Sequence, residues 1–164
     1  MNRHNDLEVI DLLIEKQSLL ADLYALFAKS YHNYEEFWAE AAHQECQHAQ
    51  WLESFREMIV TGKLCYHIEG NSFAAIESFI KHLKGTIVKF NEKPFTLERA
   101  LAVATDVERS LVNKNSLDRF DGHNRSVNKL LELLRENRRL SAIKMEAVQI
   151  FRGKELAGSQ HSSH

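Results

Sequence analysis

The chain has 164 residues, 44% of them hydrophobic and 27% charged, which is typical of a globular protein with one core. A formal net charge of −2 does not favour binding to nucleic acid or to an anionic membrane, and two cysteines do not make a disulfide framework. No apolar run is long enough to span a bilayer, and acidic residues interrupt the N-terminal apolar stretch, so we expect no membrane span and a cytoplasmic location.

Two long amphipathic helices are predicted first, over about residues 6–31 and 34–60, with Gly62 ending the second. Both carry apolar side chains in a 4-3-4-3 rhythm, which predicts one inward face on each helix. Three polar residues interrupt these apolar seams: Gln17, Glu45 and His48.

A long connection over residues 61–95 follows, with a short helix at 72–83 and an irregular piece at 87–90. The third long helix is predicted over about residues 97–120, with Thr96 as its N-cap. Its inward face includes Leu101, Ala104, Glu108 and Leu111.

The fourth long helix is predicted over about residues 125–152, ending near Gly153. Its expected inward face reads Leu133, Glu136, Arg139 or Leu140, Ile143 and Ala147. These elements predict an all-α protein, in which residues 1–156 form a four-helix bundle of two antiparallel hairpins joined by a long crossover, and residues 157–164 are disordered.

One chemical motif lies in the second helix, where Glu45 and His48 are spaced as E-x-x-H and so face the same side. Gln17 precedes Glu45 by 28 residues. Glu40 and His43 form another E-x-x-H, but it lies about 140° around the helix, and we interpret it as a solvated pair.

A second copy of this arrangement occurs in the other hairpin. Glu108 precedes Glu136 by 28 residues, and Arg139 takes the place of the histidine. If the turns centre near His32 and Gly122, all these groups lie roughly 20 Å from their turns, at mid-bundle. Three buried carboxylates at one level need positive charge, which a divalent metal or an arginine can supply.

The segments LYALFA, FWAEAAHQECQHAQWL, ERALAVATDVE and LLELLRENRRLSAI resemble the rubrerythrin branch of the ferritin-like superfamily, over about residues 7–150. That family holds two irons through one Glu from each of helices 1 and 3 and Glu-x-x-His from each of helices 2 and 4. The resemblance implies a di-iron carboxylate fold, an iron cofactor, an oxidoreductase activity of peroxidase or oxidase type, and four ligands: Glu45, His48, Glu108 and Glu136.

The chain departs from the family pattern at several points, and one of them is on helix 3, where Thr105 and Leu111 flank Glu108 and the extra carboxylate of the family is absent. Gln17 stands where the family has Glu, Arg139 stands where it has the second His, and no C-x-x-C pair exists for a rubredoxin domain. Two functions therefore stay open. One is an iron protein, mononuclear or di-iron, that handles peroxide, dioxygen or iron, with Gln17 as a weaker ligand. The other is a metal-free scaffold for protein interactions, in which the charge of Arg139 replaces the metal.

The remaining polar residues carry weaker signals. Cys65 and His67 make a C-x-H fragment with no partner pair nearby in the sequence, so no metal site is predicted there. Arg135 and Arg138 are interpreted as a solvated face. Outward apolar residues of the first two helices could support a homodimer: Leu12, Leu19, Leu23 and Phe37.

Overall fold

The computed structural model describes residues 3–67, 72–113 and 116–161, which form five α-helices and two short strands. In chain order these are α1 (Arg3–Ser30), α2 (Glu35–Val60), β1 (Leu64–Tyr66), α3 (Ser72–Glu92), α4 (Leu97–Asn113), β2 (Phe120–Gly122) and α5 (Arg125–His161), with 3₁₀ turns at His32–Tyr34 and Ser116–Arg119. The mostly helical class predicted from the sequence is confirmed. Within the described ranges, no helix combines the length and the apolar character that crossing a membrane requires.

The chain divides into two compact units, where the sequence predicted one domain. The first unit comprises Met1–Pro94 and Leu117–Leu134, and the second comprises Phe95–Ser116 and Arg135–His164.

An antiparallel hairpin of α1 and α2 forms the centre of the first unit. The Trp38 ring packs on those of Tyr24 and Phe27, at centroid distances of 5.6 and 4.8 Å. Farther along the same pair of helices, Arg56 Nε donates to Asp11 Oδ1 at 2.7 Å. The predicted inward faces of both helices are buried in the main, whereas Leu23, predicted to face outward, is fully buried.

Helix α2 ends as predicted, because Gly62 adopts a φ of 78°, in the left-handed region that residues other than glycine rarely occupy. The Gly62 N–H donates to the Ile59 carbonyl and the Lys63 N–H to the Met58 carbonyl, which is the hydrogen-bond pattern of a Schellman motif. The chain leaves the helix directly into β1.

Strands β1 and β2 pair antiparallel, with Leu64 opposite Gly122 and Tyr66 opposite Phe120. This ribbon was not predicted from the sequence, and the third helix was predicted to extend to residue 120, whereas α4 ends at Asn113. The aromatic rings explain the difference, because Phe120 packs on Tyr66 at 4.8 Å and on Phe55 at 5.7 Å. This non-local burial outweighs local helix propensity.

We expect Gly122→Ala to destabilise the protein by about 1–3 kcal/mol, because a methyl group there overpacks the ribbon. A Cβ at Gly122 would lie 2.7 Å from Asn128 Oδ1 and 2.8 Å from Val127 Cγ1. The Asn128 amide also bonds both the N–H and the carbonyl of Gly122, at 3.2 Å each, so it is not free to move.

Gly85→Ala is the matched control, since Gly85 lies inside α3 and its Cβ would meet nothing within 4 Å. That change should stabilise the protein by about 0.5–1 kcal/mol through helix propensity. Urea unfolding of both variants measures the difference, and two shifts of the same sign would contradict the packing argument.

Helix α3 runs unbroken from Ser72 to Glu92, so the predicted end at residue 83 and the irregular piece after it are wrong. The extra turns are stabilised by tertiary contact, because the buried Phe90 ring packs on Phe27 at 5.1 Å. Residues 68–71 of the predicted connection lie outside the described ranges.

In the second unit, α4 and the later part of α5 run antiparallel. Arg109 Nη2 donates to Glu146 Oε1 at 2.6 Å, and Arg152 Nε donates to Glu98 Oε1 at 3.0 Å. The predicted N-cap of α4 is confirmed, because Thr96 Oγ1 accepts the Arg99 N–H at 3.2 Å.

The predicted inward face of the fourth helix is wrong. The buried residues of α5 are Val127, Leu131, Leu134, Arg138 and Met145, whereas the predicted ones are exposed. This helix carries two apolar stripes, and periodicity alone does not decide which one is buried. It also continues past Gly153 to His161, so residues 157–161, predicted as disordered, are helical, while 162–164 lie outside the described ranges.

Candidate functional site

The E-x-x-H pair of α2 is buried in the first unit. Glu45 and His48 are each 1% exposed, and His48 Nδ1 lies 3.2 Å from Glu45 Oε2. The i, i+3 spacing on one helix produces this approach, because both side chains project from the buried face. The His48 ring also lies 6.0 Å from the Trp51 ring, toward the surface.

The neighbouring E-x-x-H pair has the opposite environment. Glu40 and His43 are both exposed on α2, which confirms the interpretation of this pair as solvated. The two pairs share a helix, a spacing and a chemistry and differ in burial. Glu40 and His43 therefore provide an internal control for any experiment on Glu45 and His48.

Gln17 is buried on α1 at the level of the same pair. Asp11, six residues before Gln17, pairs with Arg56 of α2. Tyr24, seven residues after Gln17, packs on Trp38 of α2. Equal steps along antiparallel helices place Gln17 beside α2 residues 45–50. Its Oε1 is buried and has no hydrogen-bond partner, so this acceptor lacks the donor or cation that burial normally requires.

Glu108 is buried in the second unit, on the inward face of α4 as predicted. Thr105, one turn before it, is buried as well, and its Oγ1 has no hydrogen-bond partner. The sequence therefore located a buried carboxylate correctly on this helix.

Glu136 and Arg139 lie on the solvent-exposed face of α5, contrary to their predicted places on a buried seam. Their side chains are 54% and 55% exposed, and they form a two-point ion pair, with Nη2–Oε1 at 2.6 Å and Nε–Oε2 at 3.1 Å. The hydrogen bond from Arg139 lowers the pKa of the Glu136 carboxyl, and Glu136 raises the pKa of the Arg139 guanidinium. The buried arginine of this helix is Arg138, which was predicted on a solvated face.

Arg139→Ala should leave the unfolding temperature close to that of the original chain, because an exposed ion pair contributes little to stability. The same change should move the pKa of Glu136 up toward its ordinary value, which NMR titration of the carboxyl can follow. Thermal unfolding is best recorded at low protein concentration, so that association between chains does not contribute to the unfolding temperature. A large fall in the unfolding temperature would support the metal-free hypothesis, in which Arg139 replaces a buried metal.

A third cluster of polar side chains, which the sequence did not predict, lies on the two-stranded ribbon. Potential ligand atoms of Cys65, His67 and Asp121 all lie within 4.8 Å of one another, and this is the one such group of three or more among the residues that the structure describes. Cys65 is buried, and burial, Asp121 and Asp6 together raise the pKa of its thiol. Asp121 is distant in sequence, so only the pairing of β1 with β2 reveals the group.

Compared with protein-family models, curated proteins and solved structures, the chain shows no significant match to any of them. The ferritin-like assignment stays a prediction based on the residues quoted above.

Proposed function

We propose that the α1–α2 hairpin binds a single metal ion, with iron as the first candidate, through Gln17, Glu45 and His48. The observations that carry the proposal are a buried carboxylate and imidazole that face each other, and a buried amide oxygen without a donor that the register of the hairpin places at their level. Within a ferritin-like architecture, such a site would serve in peroxide, dioxygen or iron handling. The order of the long helices along the chain, with α3 in the connection between α2 and α4, supports the proposal of that architecture.

The distance between the two ligand atoms supports this use. Two atoms that lie about 2.1 Å from one ion, at angles between octahedral and tetrahedral, are separated by roughly 3.0–3.4 Å. His48 Nδ1 and Glu45 Oε2 are 3.2 Å apart, which lies within this range. A cation there would also give the buried Gln17 Oε1 a partner.

The exposed ion pair of α5 favours one ion over two. Glu136, which was predicted as a ligand of a second ion, forms a bidentate pair with Arg139 at the surface. The three proposed ligands all lie in the first unit. Three protein ligands leave open coordination positions, which suit iron that reacts with peroxide or dioxygen. The metal-free alternative needs the charge of Arg139 in a buried site, and its half-exposed guanidinium gives that alternative less support.

The test is iron content per chain, measured by elemental mass spectrometry on protein made with added iron and purified without oxygen or an affinity tag. Cys65→Ser is the background, so that the buried thiol of the ribbon does not contribute to the iron content. We expect about one iron per chain, lost in Glu45→Ala and retained in Glu40→Ala, the same substitution on the exposed E-x-x-H pair. Equal iron in both variants, or none in the background protein, would overturn the proposal.

A further inference from the structure

The two-stranded ribbon holds three different ligand types on one face. Cys65 on β1 is directly opposite Asp121 on β2, and opposite residues of antiparallel strands project to the same side. His67 lies two residues after Cys65 and therefore on that side too. Its N–H donates to the Arg119 carbonyl at 2.8 Å, which extends the ladder and fixes its backbone.

We propose that Cys65, His67 and Asp121 form a metal site that is independent of the helical one and suits a thiophilic divalent ion such as zinc. Thiolate, imidazole and carboxylate are the three side-chain ligands that zinc takes in proteins. His67 Nε2 and Asp121 Oδ2 are already 3.5 Å apart, which is close to the separation of two ligands around one tetrahedral ion.

The environment of the three side chains indicates an open site. Cys65 lies beneath the surface, whereas His67 and Asp121 are more than half exposed. Three protein ligands with a solvent-facing fourth position are the arrangement of zinc sites that bind a water molecule or a small substrate. Without an ion, the same residues would only make cross-strand contacts, in which Cys65 Sγ donates to the Asp121 carbonyl at 3.6 Å.

Cobalt(II) is the probe that distinguishes a metal site from cross-strand contacts without an ion. A thiolate ligand gives a sulfur-to-cobalt charge-transfer band, which oxygen and nitrogen ligands do not give. We expect one equivalent of cobalt to produce this band and one equivalent of zinc to remove it. Cys65→Ser should abolish the band, and Asp121→Asn should weaken cobalt binding at least tenfold.

Three controls make the assignment specific. His123→Ala changes an exposed histidine next to β2, and Glu45→Ala removes the helical ligand, so both should retain the band. The second control also makes failure of this proposal distinguishable from failure of the proposed function. A band that persists in Cys65→Ser and disappears in Cys46→Ser, the other free thiol, would overturn the proposal, as would no band at all.

A different observation supports a second proposal. In the second unit, an apolar stripe runs along the exposed face of α5 with the 3-4-3 spacing of a coiled-coil seam: Leu140, Ile143, Ala147 and Ile150. Such a stripe on a helix surface marks a contact with another helix. We infer that a second copy of the chain covers it, with its own α5 running antiparallel.

One antiparallel register is centred between Leu140 and Ile143, and it places Ala147 opposite Glu136 of the second copy. In the antiparallel register centred there, Leu140 faces Ile143 of the second copy. Beside this layer, Arg139 faces Glu146 of the second copy, and the two-fold axis repeats this opposite-charge pair. Both side chains stay about half exposed in their intrachain ion pairs, so they can reach across.

Neighbouring registers bring like charges together. A shift of one heptad in one direction places Glu146 opposite Glu146 and Lys144 opposite Lys144. The opposite shift places Arg139 opposite Arg139. The charge pattern therefore selects one register by repulsion in the others.

Light scattering coupled to gel filtration tests this pairing. We expect a dimer for the original chain and monomers for Arg139→Glu and for Glu146→Arg, since each variant creates two repulsive pairs. Mixing the two variants should restore a dimer, because both contacts then join opposite charges. A monomeric original chain, or a mixture that stays monomeric although both variants are folded by circular dichroism, would contradict the proposal.

Discussion

Trp38→Ala is expected to lower the free energy of unfolding by about 3–5 kcal/mol, the largest stability effect that we predict. Trp38 is fully buried, and its ring packs on Tyr24, Phe27 and Phe37 at centroid distances of 5.6, 4.8 and 5.0 Å. Removal of the indole leaves a cavity between α1 and α2 that rigid aromatic neighbours cannot fill. Urea unfolding followed by far-ultraviolet circular dichroism measures the change.

Two further variants separate packing from residue type. Trp51→Ala removes the other tryptophan, which is 37% exposed, and should lower the stability much less. Trp38→Phe should also lower it less than Trp38→Ala, because the Trp38 Nε1 is buried without a hydrogen-bond partner and phenylalanine removes that unsatisfied donor. Equal losses for Trp38→Ala and Trp51→Ala would mean that the aromatic cluster does not hold the hairpin.

The hairpin of α1 and α2 could be predicted because each helix has one dominant apolar seam. A residue such as Trp38 or Leu52 is then buried whichever neighbour covers it. Helix α5 has two apolar stripes, and the one that was predicted to face inward is exposed. The choice depends on tertiary partners, which a single-helix pattern does not contain.

The candidate sites follow the same distinction. Glu45 and His48 could be found because a short-range motif lies on a reliable seam, and helix geometry alone brings their side chains together. Asp121 could not be found as a partner of Cys65, because their proximity depends on strand pairing across 56 residues. Three-residue strands carry too little alternation to predict that pairing.

Gln17→Glu is expected to increase the affinity of the helical site for iron(II) at least tenfold, equivalent to about 1.4 kcal/mol. The substitution replaces an amide oxygen with a carboxylate at a proposed ligand position. An anionic ligand adds direct attraction to the ion, and the side chain keeps almost the same shape. Anaerobic titration with iron(II) against a competing chelator measures the affinity.

The same variant tests whether metal is bound there at all, because its effect on stability changes sign with the ion. Without metal, a second buried carboxylate near Glu45 should lower the free energy of unfolding by about 1–3 kcal/mol. With saturating iron(II), tighter binding to the folded state should more than recover that loss. Gln47→Glu, the same change at an exposed position of α2, should affect neither quantity. If Gln17→Glu were destabilised equally with and without iron(II), the buried pair could not be a metal site, since only a bound cation reverses the electrostatic cost of that carboxylate.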